Sequence, residues 1–343
     1  MRSFYLTFLF IIFLNHLFAQ IGGENTFAVL DLSTSARTVS MGGELIAVFD
    51  NDINLVQSNP SLLRAKMDQG ISFSYVDYFA DINATSVSYA FNNEKIGMIY
   101  LGAKSLDYGD FTRIDETGIE LGEFTANEEV FTLGIGKSLS SRFNIGMSIN
   151  YVNSKLDNYY SSALAASIGV SYFNKQDNLC MSILAKDFGR QLEVYVDKRE
   201  RLPFQLQFGI SKGLSHLPFR FSLVAHHLNK FDISNNYLNP TKTDPVTGEE
   251  VVNNDSFGKK MLRHFIIGGE LNPFKKNFYI RGGFNFQRRQ DMMIATRPGL
   301  VGFSWGIGFR IYKFHLNYSR AAYHLSGSTN IFNFSTNISS FLF

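Results

Sequence analysis

Cysteine is nearly absent from this chain: one residue of 343, Cys180, is a cysteine. A single cysteine can form no internal disulfide framework and no Cys-based metal cluster. Charge is also sparse, at 18%, and the 32 basic and 30 acidic residues nearly cancel to a net +2. That balance argues against a nucleic-acid binder that works by neutralising phosphates. Long apolar runs are missing beyond the extreme N-terminus, which excludes a bundle of transmembrane helices, each needing about 20 consecutive apolar residues. What the chain has in abundance is aromatic: 34 Phe and 16 Tyr against one Trp. So aromatic and weakly charged a composition does not match disorder. Mean hydropathy is nevertheless −0.05, although 45% of residues are hydrophobic. Either a large soluble β protein or a membrane protein with apolar residues at every second position accounts for that combination.

The first segment reads as an address. Arg2 precedes an apolar run from Phe4 to Leu14, and Ala19 supplies a small residue for cleavage. This is the pattern of a secretory signal peptide over 1–19, with a mature chain starting at Gln20. The run is too short for a spanning anchor helix, and no cysteine lies at the junction to carry a lipid.

From residue 70 onward the period is two. Phe143, Ile145, Met147, Ile149 and Tyr151 alternate with Asn144, Gly146, Ser148 and Asn150, and Phe303, Trp305, Ile307, Phe309 and Ile311 alternate with Ser304, Gly306, Gly308 and Arg310. Extended strands place such sets on opposite faces, whereas a helix would smear them around its circumference. The pattern predicts strands at 70–79, 82–91, 95–104, 128–138, 142–153, 161–173, 178–187, 203–213, 219–229, 262–271, 277–288, 300–311, 314–321 and 330–343. The connections alternate by parity. Those after odd-numbered strands include the long stretches 105–127, 188–202 and 230–261, while those after even-numbered strands are all short. An even strand number, strands of about ten residues, short turns at one end and longer loops at the other describe an outer-membrane β-barrel. A soluble sandwich would alternate too, but nothing in it ties loop length to parity. The expectation is therefore an all-β, 14-stranded antiparallel transmembrane barrel over 70–343. Ser72, Ser74, Asn150, Gln205, Gln207, Arg281 and Asn285 fall on its inner face. Tyr75, Tyr78, Tyr89, Tyr100, Tyr151, Tyr172 and Tyr279 are placed in aromatic girdles, and a terminal Phe343 closes the last strand.

Residues 20–69 have another texture, with short helices and turns broken by Met41-Gly42-Gly43 and Asn59-Pro60. A barrel this wide has room for such a segment in its lumen as an N-terminal plug. Ala36-Arg37 with Met41-Gly42-Gly43, the stretch Asp50 to Asn54 and Asn59-Pro60 resemble the hatch of FadL-like barrels, with Arg37, Gly42, Gly43, Asp52, Asn59 and Pro60 as its motif residues. Tyr78-Phe79-Ala80-Asp81-Ile82-Asn83, Asp115-Glu116-Thr117-Gly118, Gly122-Glu123-Phe124-Thr125-Ala126, Gly189-Arg190-Gln191-Leu192 and the run from Tyr195 to Phe204 are similar to the PorV/PorQ family. That family is an outer-membrane component of the Bacteroidetes type IX secretion system. The resemblance covers most of the mature chain. The loop around Asp244-Pro245-Val246-Thr247-Gly248-Glu249 lies outside it.

What the resemblance implies is a non-catalytic protein of the cell outer membrane. Its surface loops would hold an attachment complex of PorZ, with PorU and PorV, beside lipopolysaccharide, and both termini would lie in the periplasm. Asp115, Glu116, Gly118, Phe124, Arg190, Tyr195 and Arg199 are the candidate partner-binding loop residues. The alternative that the barrel architecture suggests is a transporter of hydrophobic small molecules. No motif points to a catalytic site, cofactor or metal. Asp50-Asn51-Asp52-Ile53-Asn54 starts like a calcium loop but has Leu55 and Ser61 where Gly and Glu are required. Gly134-Ile135-Gly136-Lys137-Ser138 lacks the first glycine of a phosphate loop. His226-His227, read as strand residues, point to opposite faces and cannot share a metal.

Overall fold

The computed structural model describes residues 26–78, 80–234, 242–243, 250–251, 255–273, 277–293, 299–324 and 327–341. The signal peptide, Phe79, Phe343 and the Asp244 to Glu249 loop lie outside the described residues.

Fourteen antiparallel strands close into one barrel. They are β1 (Gly70–Asp77), β2 (Asn83–Asn93), β3 (Gly97–Ile114), β4 (Glu120–Ser138), β5 (Phe143–Leu156), β6 (Tyr159–Asn174), β7 (Leu179–Glu193), β8 (Gln205–Gly213), β9 (Phe219–Ala225), β12 (Phe265–Leu271), β13 (Phe278–Asn285), β14 (Phe303–Ile311), β15 (Phe314–His324) and β16 (Gly327–Asn337). A separate two-residue pair, β10 (Lys242–Thr243) with β11 (Glu250–Val251), lies in the long connection between β9 and β12. Each barrel strand pairs with its neighbour in sequence, and β9 pairs directly with β12 across that connection. Closure comes from β1, whose Gly70 faces Ala90 of β2 on one side and Asn337 of β16 on the other. No unpaired sheet edge remains, as lipid requires.

The alternation sorts the two faces as expected. On β1, Phe73 is 51% exposed while Ser72 is 2% exposed. Trp305, Phe309, Phe143, Met147 and Tyr151 likewise point outward, and Ser74, Gln205, Gln207, Arg281 and Asn285 are buried inside. Tyr100 and Tyr279 depart from the girdle assignment. Tyr100 is fully buried against the hatch, and Tyr279 lies two residues from Arg281, hence on the same inward face.

Several predicted boundaries shift. The stretch 105–127 is not a loop: β3 and β4 continue pairing to Ile114 opposite Glu120, so Phe124 is a strand residue. Arg190 sits on β7 rather than in the following loop. Strand β13 ends at Asn285, whose side chain caps helix α3 (Phe286–Met292) by accepting from Arg288 N, and β16 ends at Asn337, followed by a 3-10 turn over Ile338–Ser340. The 230–261 connection contains the start of helix α2 (Phe257–Arg263). β9 ends at Ala225, so His226 and His227 are not strand residues. His227 takes φ 53°, which turns its ring back until the two Nδ1 atoms lie 2.5 Å apart. At that distance one ring must donate to the other. Burial suits this, lowering the His227 pKa to about 4 and that of His226 well below its usual value.

The outward face makes a direct prediction. Phe73→Arg should destabilise the barrel in lipid by about 2–4 kcal/mol, the cost of a cation near the bilayer midplane. Urea unfolding from vesicles, followed by Trp305 fluorescence, measures the shift.

Candidate functional site

The lumen is occupied by the hatch, built of helix α1 (Ala36–Ser40) and a series of 3-10 turns. Side-chain caps start three of these elements. The Ser35 hydroxyl accepts from Thr38 N at 3.2 Å, Asp52 accepts from Asn54 N at 3.1 Å, and Asn59 accepts from Ser61 N at 3.0 Å with Pro60 at the first helical position. Asp52, the third residue of the calcium-like stretch, is therefore a cap.

Polar groups on the barrel wall fix these turns in place. Asn333 donates to Thr34 O at 2.9 Å, Lys104 to Leu32 O at 2.9 Å, Ser304 to Ser40 O at 3.2 Å and Asn285 to Gly42 O at 3.2 Å. Asn59 donates to Ile46 O at 2.7 Å, and its carbonyl oxygen accepts from Ser61, whose hydroxyl meets Ser171 at 2.5 Å. Close approach needs glycine at two places. A Cβ on Gly146 would collide with the Pro60 carbonyl, and one on Gly42, which has φ +107°, would collide with Ile266.

The strongest tie is electrostatic. Arg37 is buried and meets Asp50 at 2.6 Å, Asp52 at 3.3 Å and Glu270 of β12 at 3.0 Å. Arg220 of β9 bridges Asp50 at 3.4 Å and Glu270 at 3.1 Å, and Arg281 of β13 reaches Glu270 at 2.8 Å. Burial alone would raise the Asp50 pKa, but Arg37 and Arg220 outweigh it and hold the carboxyl well below its usual range. Burial likewise opposes the Arg37 charge, and the three carboxylates overcome it.

The two ends of the lumen differ. Toward the long hairpins, Phe27, Val29 and Leu30 pack with Val76, Leu106, Val130, Val152, Leu202 and Ile331 into an apolar floor. Deeper in lies a small polar void of about 40 Å³ beside Lys104, Lys186 and Asp187. At the short-turn end a cavity of about 1210 Å³ opens, bounded by the Arg37 network and by Phe49, Arg64, Phe219, Tyr279, Arg310 and Lys313. We call it the vestibule.

The hatch motif residues Arg37, Gly42, Gly43, Asp52, Asn59 and Pro60 are thus gathered in the lumen. The proposed loop residues do not converge. Asp115, Glu116 and Gly118 form the tip of the β3–β4 hairpin, where Asp115 accepts from Thr117 and Ile119 and is acidified by those bonds. Phe124 stacks on Phe111 across that hairpin with ring centroids 5.2 Å apart. Tyr195 bends down instead, bonding Ser154 at 2.6 Å and packing on Phe27 of the hatch. Arg190 and Arg199 are exposed. Glu270, Arg220, Lys104 and Lys186 are site residues that the sequence reading missed. A charged residue at an inward-parity strand position was the available signal.

No family model matches the sequence, and no curated protein matches it. Solved structures do. The chain is similar to the Ralstonia pickettii toluene transporter TbuX, at 12% identity over 88% of this chain and 97% of that one, with TM-score 0.50. It is similar in the same degree to a Pseudomonas aeruginosa FadL homologue, at 10% identity over 89% and 98% of the two chains, TM-score 0.50. The fold is that of the FadL-like outer-membrane barrels.

Removing one member of the Arg37 cluster should loosen the hatch. Arg37→Ala would leave Glu270 with Arg220 and Arg281 and Asp50 with Arg220 alone, a loss below the about 3–5 kcal/mol of a wholly unpaired buried charge, readable as earlier proteolytic cleavage of the hatch in folded barrels. A pH series adds a sign. The Asp50 pKa is depressed on folding, so its contribution is present above the unfolded value of about 4 and is lost as pH falls through the folded one. Hatch protection should therefore weaken below about pH 4 in the wild type, and less so in Asp50→Asn.

Proposed function

We propose that this chain is a non-catalytic outer-membrane anchor of the type IX secretion system, with the role its likeness to PorQ implies. It holds the attachment complex, with PorZ as direct client and PorU and PorV associated, where cargo is processed and joined to lipopolysaccharide. In this reading the short turns and both termini face the periplasm and the long hairpins face outward, as in bacterial outer-membrane barrels generally. The observation that carries the reading is the clamped hatch. Above the vestibule the lumen holds a segment tied to the wall through a buried ion network and a series of hydroxyl and amide bonds, with an apolar floor beneath the long hairpins. A barrel whose hatch is fixed to the wall in this way offers partners its two ends rather than a passage.

A second reading, transport of hydrophobic small molecules, is the one the solved neighbours favour, one of them being described as a toluene transporter. Likeness at this identity concerns fold, and fold alone is weak evidence for function. Opposed to it are the charged side chains buried in the interior beside its apolar clusters, among them Arg37, Lys186, Asp187, Glu270 and Arg281.

Affinity purification of the tagged protein from outer membranes separates the two. The anchor reading expects recovery of PorZ, and release of PorZ from the membrane fraction when this protein is deleted. Unchanged PorZ fractionation, together with a hydrophobic ligand retained by the purified barrel in native mass spectrometry, would establish the transporter reading in its place.

A further inference from the structure

The ion network lines the vestibule without neutralising it. Arg37, Arg220 and Arg281 are matched by Asp50, Asp52 and Glu270. Four further cations face the same cavity: Arg64, Lys66, Arg310 and Lys313. None of these four has a carboxylate partner among the described residues. Arg64 lies 3.9 Å over the Phe49 ring and donates to Asp50 O and to Asn51, while its buried Nε has no partner. Lys313 donates to Ser340 O, and Lys66 and Arg310 are exposed at the mouth.

An excess of one charge in a concave, low-dielectric mouth focuses the field and concentrates ligands of opposite sign. The spread of the cations indicates the ligand's shape. They come from separate elements: a hatch turn, the end of β14 and the β14–β15 turn. Phe49 of the hatch and Leu214, Leu217 and Pro218 of the β8–β9 turn supply apolar surface among them. One compact anion would be met by donors converging from a single turn, whereas a chain carrying several carboxylates meets cations set apart with apolar surface between them.

We propose that the vestibule is a docking site for an acidic peptide segment of a periplasmic partner. Only the partner's compartment rests on the orientation given above, since the charge and shape of the site are properties of the barrel itself.

The test uses the full chain in detergent micelles with fluorescein-labelled hexaglutamate as probe, followed by anisotropy. Saturable binding that weakens steeply with salt is expected, with hexaglutamine as a non-binding control. The doubly substituted Lys66→Glu, Arg310→Glu protein changes two exposed side chains and leaves the hatch clamp alone. It should lose affinity at least about 10-fold while keeping the heat-resistant, fast-migrating barrel form in electrophoresis. Absence of saturable hexaglutamate binding, equal affinity in the doubly substituted protein, or binding of inorganic pyrophosphate in place of the peptide would each overturn the proposal. Protease access to the β3–β4 hairpin on intact cells reads the orientation separately, so failure of that assignment is distinguishable from failure of the site.

Discussion

In the hydrocarbon layer a backbone N–H or C=O has no water to turn to, and each one left unpaired costs several kcal/mol. The fourteen-strand ring, the antiparallel pairing of β1 with both β2 and β16, and the two-residue alternation all answer that constraint. Closing the sheet creates two environments, one facing lipid and one facing the lumen, and every strand must supply both in turn. The near-neutral hydropathy of so aromatic a chain is the average of those two faces.

Closure by fourteen strands also encloses a lumen too wide for wall side chains to fill, and the hatch occupies it. A segment carried there has its own polar backbone to satisfy, which explains why wall residues such as Asn333, Lys104, Ser304 and Asn285 bond to hatch carbonyls. The ion cluster around Arg37 goes further, because each charge has surrendered water and depends on the others. Such an arrangement adds less to stability than its contacts suggest, yet it tolerates very few alternative seatings of the hatch. Gly146 beneath Pro60 and Gly42 against Ile266 act in the same direction by steric means.

The barrel was legible because alternation and turn parity are local signals: strand number, facing and closure follow from them. Boundaries slipped where the pattern stops reporting on lipid. β3 and β4 keep pairing past the apolar band, so residues 105–127 lose the Phe-rich face and read as a loop although the ladder continues. His226-His227 looked like alternating strand residues, and only the left-handed turn at His227 brings the rings together. Tyr279 reads as a girdle residue because it lies toward a strand end, although its two-residue spacing from Arg281 already places it inside. In the hatch, Arg37 and Asp52 stood out as motif residues. Glu270, the wall partner of Arg37, is 233 residues away in sequence, and no local pattern announces a contact at that separation.

The β3–β4 hairpin has a mechanical meaning. Strand β3 runs 18 residues, a contour of about 60 Å, and at a tilt of about 40° it rises about 45 Å, well beyond an apolar band about 25 Å tall. Its outer half is a ladder tied at the side by Arg113 to Asp157 at 2.6 Å and ending in exposed Ile114, Ile119 and Leu121. A load applied at that tip along the strands pulls β3 and β4 together and is resisted by the hydrogen bonds that they make to β2 and β5, which lie across the direction of pull and must be sheared together rather than peeled one by one. The hairpin is therefore a stiff lever rooted in the barrel wall, and anything seated on its tip would be held at a fixed height above the membrane.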